Sequence, residues 1–242
     1  MRLWGRQARR ALRALPVWLA LLGASGALRA EIIDARYLEP TGRYDHAILG
    51  DALEWGALEL TLRDGRVLRA VLPESLVFED IAPRLWDVDG DGAPEVVTVE
   101  SSLSHGARLA IWDAEGRIAA TPYIGQRHRW LAPLGAADLD GDGRIEIAYI
   151  DRPHLARVLR LFRLEDGKLV PVAELAGLTN HRIGWDHVES GIRDCGSGAE
   201  IIAANAGWSQ VMAVRFAAGR LVAREVGPYT SRASIDAALA CR

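Results

Sequence analysis

The sequence predicts an all-β chain built from about four copies of one antiparallel unit with acidic loops between strands, and three observations lead there. Two nine-residue stretches, Asp87-Val-Asp-Gly-Asp-Gly-Ala-Pro-Glu95 and Asp138-Leu-Asp-Gly-Asp-Gly-Arg-Ile-Glu146, carry the same acidic and glycine positions 51 residues apart. Each is followed by a β-rich run, Glu95-Val-Val-Thr-Val-Glu100 or Glu146-Ile-Ala-Tyr-Ile-Asp151, of residues suited to a pleated, half-buried surface. Residues 55–66, 106–117, 156–167 and 208–219 each read as alternating strand, glycine turn, strand. Repetition at about 50 residues is the mark of a unit that buries its apolar face only against its neighbours.

The acidic loops come first because they carry the chemistry. Carboxylates crowded into a tight loop repel one another unless a hard cation that prefers oxygen ligands neutralises them, and calcium fits that description best. Asp87, Asp89 and Asp91 in one loop, and Asp138, Asp140 and Asp142 in the other, are the candidate side-chain ligands. The paired glycines let the backbone curl around the ion, the carbonyls of Ala93 and Arg144 join the shell, and Glu95 and Glu146 complete each cage. About two calcium ions are therefore expected. An EF-hand is excluded: it needs flanking helices and a glutamate at its twelfth position, which here is Thr98 or Tyr149. The remaining alternative, a solvated Asp/Gly turn without metal, gives no reason for four carboxylates to recur in register.

The pattern Asp-x-Asp-Gly-Asp-Gly-x-x-Glu before a β-rich run resembles the FG-GAP, or VCBS-like, repeats of integrin-type β-propellers. That resemblance implies a calcium loop between neighbouring strands of a blade, with metal roles for the residues just named, and it turns the four units into a small β-propeller of about four blades. The third equivalent, Asp194-Cys-Gly-Ser-Gly-Ala-Glu200, is shorter and lacks two of the aspartates, so it is not expected to bind calcium. A fourth is expected to be split between the chain ends: residues 42–50 resemble the strand after a loop, and residues 234–240 supply what precedes it. That overlap predicts a closed ring with Tyr44–Leu49 and Leu221–Val226 in one sheet. Residues 233–240 also read as a short helix competing with a strand.

Residues 1–30 read as a signal peptide and 31–242 as the repeat domain. Arg2, Arg6, Arg9, Arg10 and Arg13 form a basic head, an apolar run from Val17 is too short for a membrane span, and small residues lead to Ala27 and Ala30. The prediction is export to the periplasm or beyond, with no membrane span after cleavage; an uncleaved anchor and a twin-arginine route are the alternatives. Cleavage removes six of the 29 basic residues and no acid, leaving 23 against 32 acids, a formal charge of −9. Nucleic acid is thereby excluded as a partner. Cys195 and Cys241 are the only cysteines, and in an exported chain such a pair is expected to be bonded, contributing about 4 kcal/mol in the chain-entropy model. A reactive Cys195 is disfavoured, since no activating histidine is recognisable beside it.

Outside the loops, Arg84, His128, Arg129, His181 and Arg182 precede loop positions and form a candidate anion-binding cluster if they point into a central channel. The competing reading has them as solvated turn residues or as arginines paired to acids of the next unit. The tryptophans are expected between units, unless two or three share a rim and make a sugar or peptide platform. No nucleophile elbow, phosphate loop, dinucleotide fingerprint or zinc-protease motif occurs, so no catalytic residue is assigned. The expectation is an exported calcium-binding module that binds or scaffolds an unnamed protein or glycan in the envelope or outside the cell. The alternative is a hydrolase or lyase acting on an anionic substrate through the Arg/His cluster.

Overall fold

The computed structural model describes Met1 and residues 30–242, so the expected signal peptide, Met1 and Ala30 apart, lies outside the described residues. The fold is mostly β, and its strands form antiparallel up-and-down units. The first contains β1 (Ile32–Thr41), β2 (Glu54–Leu62) and β3 (Val67–Val71), with β2 in the middle. Short β4 (Leu76–Phe78) pairs with both β2 and β6 and fuses this unit to the next. The second unit runs β5 (Arg84–Trp86), β6 (Glu95–Ser102), β7 (Gly106–Asp113) and β8 (Gly116–Ala120). A separate four-stranded sheet holds β9 (Leu131–Ala137), β10 (Glu146–Asp151), β11 (Val158–Glu165) and β12 (Lys168–Ala176). The last sheet holds β13 (Leu178–Thr179), β14 (Gly191–Asp194), β15 (Ala199–Asn205), β16 (Gln210–Ala217) and β17 (Arg220–Pro228). The four stretches read as strand, turn and strand cover β2, β7, β11 and β16 with the turns that follow them; only 106–117 reaches into its second strand, β8, while β3, β12 and β17 begin just after the others end.

The core lies between sheets. Strand β10 is buried along its whole length, because its two faces serve different interfaces. Ile147 and Tyr149 meet Val97, Val99 and Ile111 of the second unit. Ala148 and Ile150 turn the other way, toward Ile201, Val214 and Phe216. Strand β6 is likewise buried throughout, which explains why both strands read as near-continuous apolar runs rather than clean alternations. A third cluster, including Leu58, Phe78, Val96 and Trp112, joins the first two units.

Helix α1 (Arg232–Leu239) follows β17 and sets Ile235 and Ala238 against Ile202, Val211 and Ala213. The helical reading of this segment is the one realised. Cys195 and Cys241 are bonded, with Cα atoms 5.8 Å apart, so the bridge fastens the end of α1 to the loop between β14 and β15.

The predicted sharing of one sheet by the two chain ends does not occur. Residues 42–50 form no strand, whereas Leu221–Val226 lie in β17. Side chains and single backbone bonds, not a ladder, hold the segment in place. Tyr44, fully buried, accepts the His128 N–H on its Oη at 2.9 Å; His46 reaches Glu79; and the Ile48 carbonyl accepts the Gly184 N–H at 3.0 Å. This segment thus ties together loops of three other units. At Gly50, with φ of +95°, a Cβ would stand 2.6 Å from the Gly184 carbonyl oxygen, so only glycine permits the approach.

Candidate metal centre

Both acidic loops are turns between antiparallel strands, the first joining β5 to β6 and the second β9 to β10. Their internal hydrogen bonds repeat almost atom for atom. In the first, Asp87 accepts the N–H groups of Gly90 at 2.7 Å and Gly92 at 3.0 Å. In the second, Asp138 accepts those of Gly141 at 2.7 Å and Gly143 at 2.9 Å. The four glycines have φ between +80° and +88°, a left-handed curl that costs other residues strain. Glu95 and Glu146 each accept the N–H of the residue after the first aspartate, Val88 at 3.1 Å and Leu139 at 2.8 Å.

These bonds gather carboxylates. One oxygen each from Asp87, Asp89 and Glu95 lies within 4.8 Å of the others, and Asp138, Asp140 and Glu146 do the same. The glutamate of each triad is buried and the middle aspartate is exposed, which opens the cage to solvent on one side. An all-oxygen, multiply anionic donor set of this kind suits a hard cation. Asp91 and Asp142 stand outside the triads: Asp91 accepts the Ala93 N–H at 2.8 Å, and Asp142 pairs with Arg144 at 3.3 Å and Arg163 at 3.1 Å. The Arg144 side chain bridges from there to Glu165 at 3.0 Å. Burial pushes the Glu95 carboxyl up to about 7; the Val88 N–H opposes this, and the charges of Asp89, Asp91 and Asp87 add to it.

The third position is built differently. One oxygen of Asp194 accepts the N–H groups of Gly196, Ser197 and Gly198, so its one aspartate is committed to the turn. Its glutamate, Glu200, is gripped by Arg193 at 2.9 Å, Arg215 at 2.6 Å and Arg224 at 2.9 Å. Burial raises this carboxyl, but the three arginines outweigh it and hold it at about 2. Sequence reading missed these arginines because they come from β14, β16 and β17, and only the strand register brings them to Glu200.

The five residues of the candidate anion cluster do not converge. Arg84 is committed to Asp80. Arg182 lies over the Trp208 ring, 4.6 Å from its centroid. His181 is 1% exposed; its Nε2–H donates to the Trp185 carbonyl at 2.8 Å, which leaves Nδ1 to accept from His154 Nε2 at 2.9 Å. Only His128 and Arg129 line a shared cavity, of about 240 Å³, together with His46, His154, Ile48 and Ile183. His128 Nε2 lies 2.8 Å from Asp45, and its ring stacks on His46 at 5.1 Å.

Buried acids surround this region. Burial first, then the charges of Glu79, Asp51 and Asp80, pushes Glu54 up to about 9. Glu79, fully buried, rises to about 8 for the same leading reason. His46 is lowered to about 4 by burial and by the Arg129 charge, so its contact with Glu79 is a hydrogen bond from a protonated carboxyl to a neutral imidazole. A carboxyl whose folded pKa is raised contributes stability that is full below its unfolded value of 4.5 and is lost as pH rises through its folded value. Between pH 7 and about 9 the raised values of Glu79 and Glu54 fall inside the window, so both contribute a falling slope there. Melting temperature should fall across that window, and Glu54→Gln should flatten the fall, as thermal scans at stepped pH will read.

A second feature is aromatic. Trp185 meets Trp208 edge-on at 5.2 Å and stacks on His187 at 4.8 Å, while Trp208 meets Tyr229 at 4.9 Å. Trp185 and Trp208 are half-buried, unlike Trp112 and Trp130 in the core.

Residues 87–149 match the family model of the FG-GAP-like repeat. That span begins at the first ligand-type aspartate and ends inside β10, so it takes in both loops; the chain carries an FG-GAP-like repeat there, as the residues led one to expect. No curated protein matches the chain. Among the described residues no helix is long and apolar enough to cross a membrane.

Proposed function

We propose that the chain is an exported, calcium-stabilised β-propeller of about four blades that serves as a binding module rather than an enzyme. The observation that carries this reading is the pair of acidic triads, built with one hydrogen-bond pattern inside an FG-GAP-like repeat. Asp87, Asp89 and Glu95, and Asp138, Asp140 and Glu146, hold the ions; the ions brace the turns between inner strands. Four antiparallel units, the first two fused through β4 and each packed on the next in the chain, support the blade count, and the Cys195–Cys241 bond fits an oxidising compartment. The partner is a protein or glycan, and Trp185, Trp208 and Tyr229 with Arg182 offer it an amphipathic platform. Capture from envelope extract tests this. The calcium-loaded chain should retain a partner that is lost both on chelation and in a Trp185→Ala/Trp208→Ala double variant of unchanged melting temperature. Equal capture by all three forms would refute the platform.

A second reading, an enzyme acting on an anionic substrate, is favoured by one observation. His128 bonds to a carboxylate and sits beside Arg129 in one cavity, the arrangement that orients an imidazole for proton transfer.

A further inference from the structure

The cavity of about 240 Å³ is walled by four separate segments: residues 42–50, the turn before β9, the turn after β10 and the loop between β13 and β14. In three of them a residue holds a left-handed backbone, Ala47, His128 and Arg152 with φ of +49°, +57° and +45°. Such a conformation costs a residue that has a side chain and persists where the surroundings impose it.

The charge of the wall is uneven. Arg152 is committed, its Nε and Nη2 donating to Asp151 at 2.8 and 2.9 Å. Asp45 and Arg127 offset each other at 2.6 Å. Arg129, half-buried, gives Nη1 to the His128 carbonyl at 2.8 Å and has no carboxylate partner among the described residues. Burial leads in lowering His46 and His154 to about 4, and Glu79, raised to about 8, keeps its proton, so none of the three carries charge at neutral pH. One guanidinium is left uncompensated. With Nδ1 accepting from Glu79, His46 has its own proton on Nε2, for which no acceptor stands among the described residues.

The rest of the lining is apolar. Ile48 and Trp130 are buried in the wall, while Leu155 and Ile183 at the same cavity are 62% and 69% exposed. Single exposed apolar side chains are ordinary on a protein surface, but here two of the most exposed large ones meet at one cavity beside an unpaired cation.

We infer that this cavity binds a carboxylate that carries a short apolar body, with the carboxylate on Arg129 and the Nε2–H of His46 and the body against Leu155 and Ile183. One uncompensated positive charge matches a monoanion, whereas a phosphate dianion would keep half of its charge unpaired in a half-buried place. The volume sets the length of the body: it lies below the roughly 300 Å³ at which sites for drug-sized ligands begin, so a short-chain acid or the last residue of a polypeptide fits. Both sources present the same chemistry. The inference deepens the second reading above by naming a ligand class for the cavity of His128 and Arg129, and it asks for binding alone.

NMR titration of the full, disulfide-bonded chain in calcium, following the imidazole Cε1–H signals, tests it with hexanoate, hexanol, acetate and inorganic phosphate as probes. Hexanoate should shift the signals of His46 and His128 and bind at least about tenfold more tightly than hexanol, which lacks the charge, and than acetate, which lacks the body. Phosphate should bind more weakly than hexanoate, and Arg129→Gln should abolish the preference for hexanoate over hexanol. Ile183→Asp, at an exposed position that carries little risk to folding, should weaken hexanoate by about tenfold through like charge at the cavity and hexanol by less. The tripeptide glycyl-glycyl-leucine, as free acid and as amide, separates the sources: a free acid bound as tightly as hexanoate identifies a chain end, and hexanoate bound more tightly identifies a small acid, with the amide inert in both cases. Equal affinity for hexanoate and hexanol, a preference for phosphate, or unchanged hexanoate binding in both variants would overturn the inference. A chain that binds hexanoate in this way and turns over no substrate upholds it while the second reading fails.

Discussion

Adding calcium to chelator-treated protein should raise its stability by about 2.7 kcal/mol for each loop filled at a hundredfold excess over the dissociation constant. An ion held by the folded cage would have no equivalent site in the unfolded chain, where Asp87, Asp89 and Glu95 separate. Asp89→Ala should remove the first loop's share of the calcium effect, and Asp140→Ala the second's, the latter also losing its contact with Arg163 in the metal-free state. Magnesium should give much less, since it resists surrendering its waters to an all-protein shell. Urea unfolding at fixed pH with calcium, magnesium or chelator measures all of these. A calcium effect unchanged in the Asp89→Ala/Asp140→Ala pair would place the ion elsewhere.

Deleting residues 231–242 should cost about 5 kcal/mol or more, combining loss of the disulfide with exposure of the surface under Ile235. The bridge closes a separation of 46 residues, for which restricting the unfolded chain contributes about 4 kcal/mol. The helix contributes the rest: Ile235 is 1% exposed, and Arg193 donates to the Ala238 carbonyl at 2.5 Å. Changing both cysteines to serine should therefore reproduce most of the loss, and Ile235→Ala alone about 2 to 4 kcal/mol. Denaturant unfolding would verify this, with the midpoint falling and the slope rising in the double-serine chain because its unfolded state is less compact. If the double-serine chain unfolds with the unaltered one, the bridge is not restricting the unfolded state in this way.

The acidic loops were legible because their chemistry is local: aspartates two apart, glycines at the curl and a glutamate opening the next strand need no tertiary knowledge. Strands β6 and β10 were legible for the same reason, their apolar runs being long enough to be buried on both faces. Strand β1 gave little signal, since only Ile32 and Tyr37 of its side chains are buried. Residues 42–50 misled because Tyr44, Ile48 and Leu49 look like a strand's apolar face, while they are in fact buried by loops of three other units. The arginine grips on Glu146, by Arg163, and on Glu200 were invisible for a related reason: they depend on which residues the ladders set opposite one another, and spacing alone does not fix register. The anion cluster failed in part because Arg84 found Asp80 four residues away, a local pairing where the competing reading placed the partner in the next unit.

Equilibrium dialysis of the chelator-stripped, disulfide-bonded chain against saturating calcium, with the metal counted by elemental analysis, tests the central claim most directly. The account predicts two ions per chain, one in the Asp89→Ala variant and none in the Asp89→Ala/Asp140→Ala pair. Retention of no calcium by the unaltered chain, or of two ions by the double variant, would contradict it.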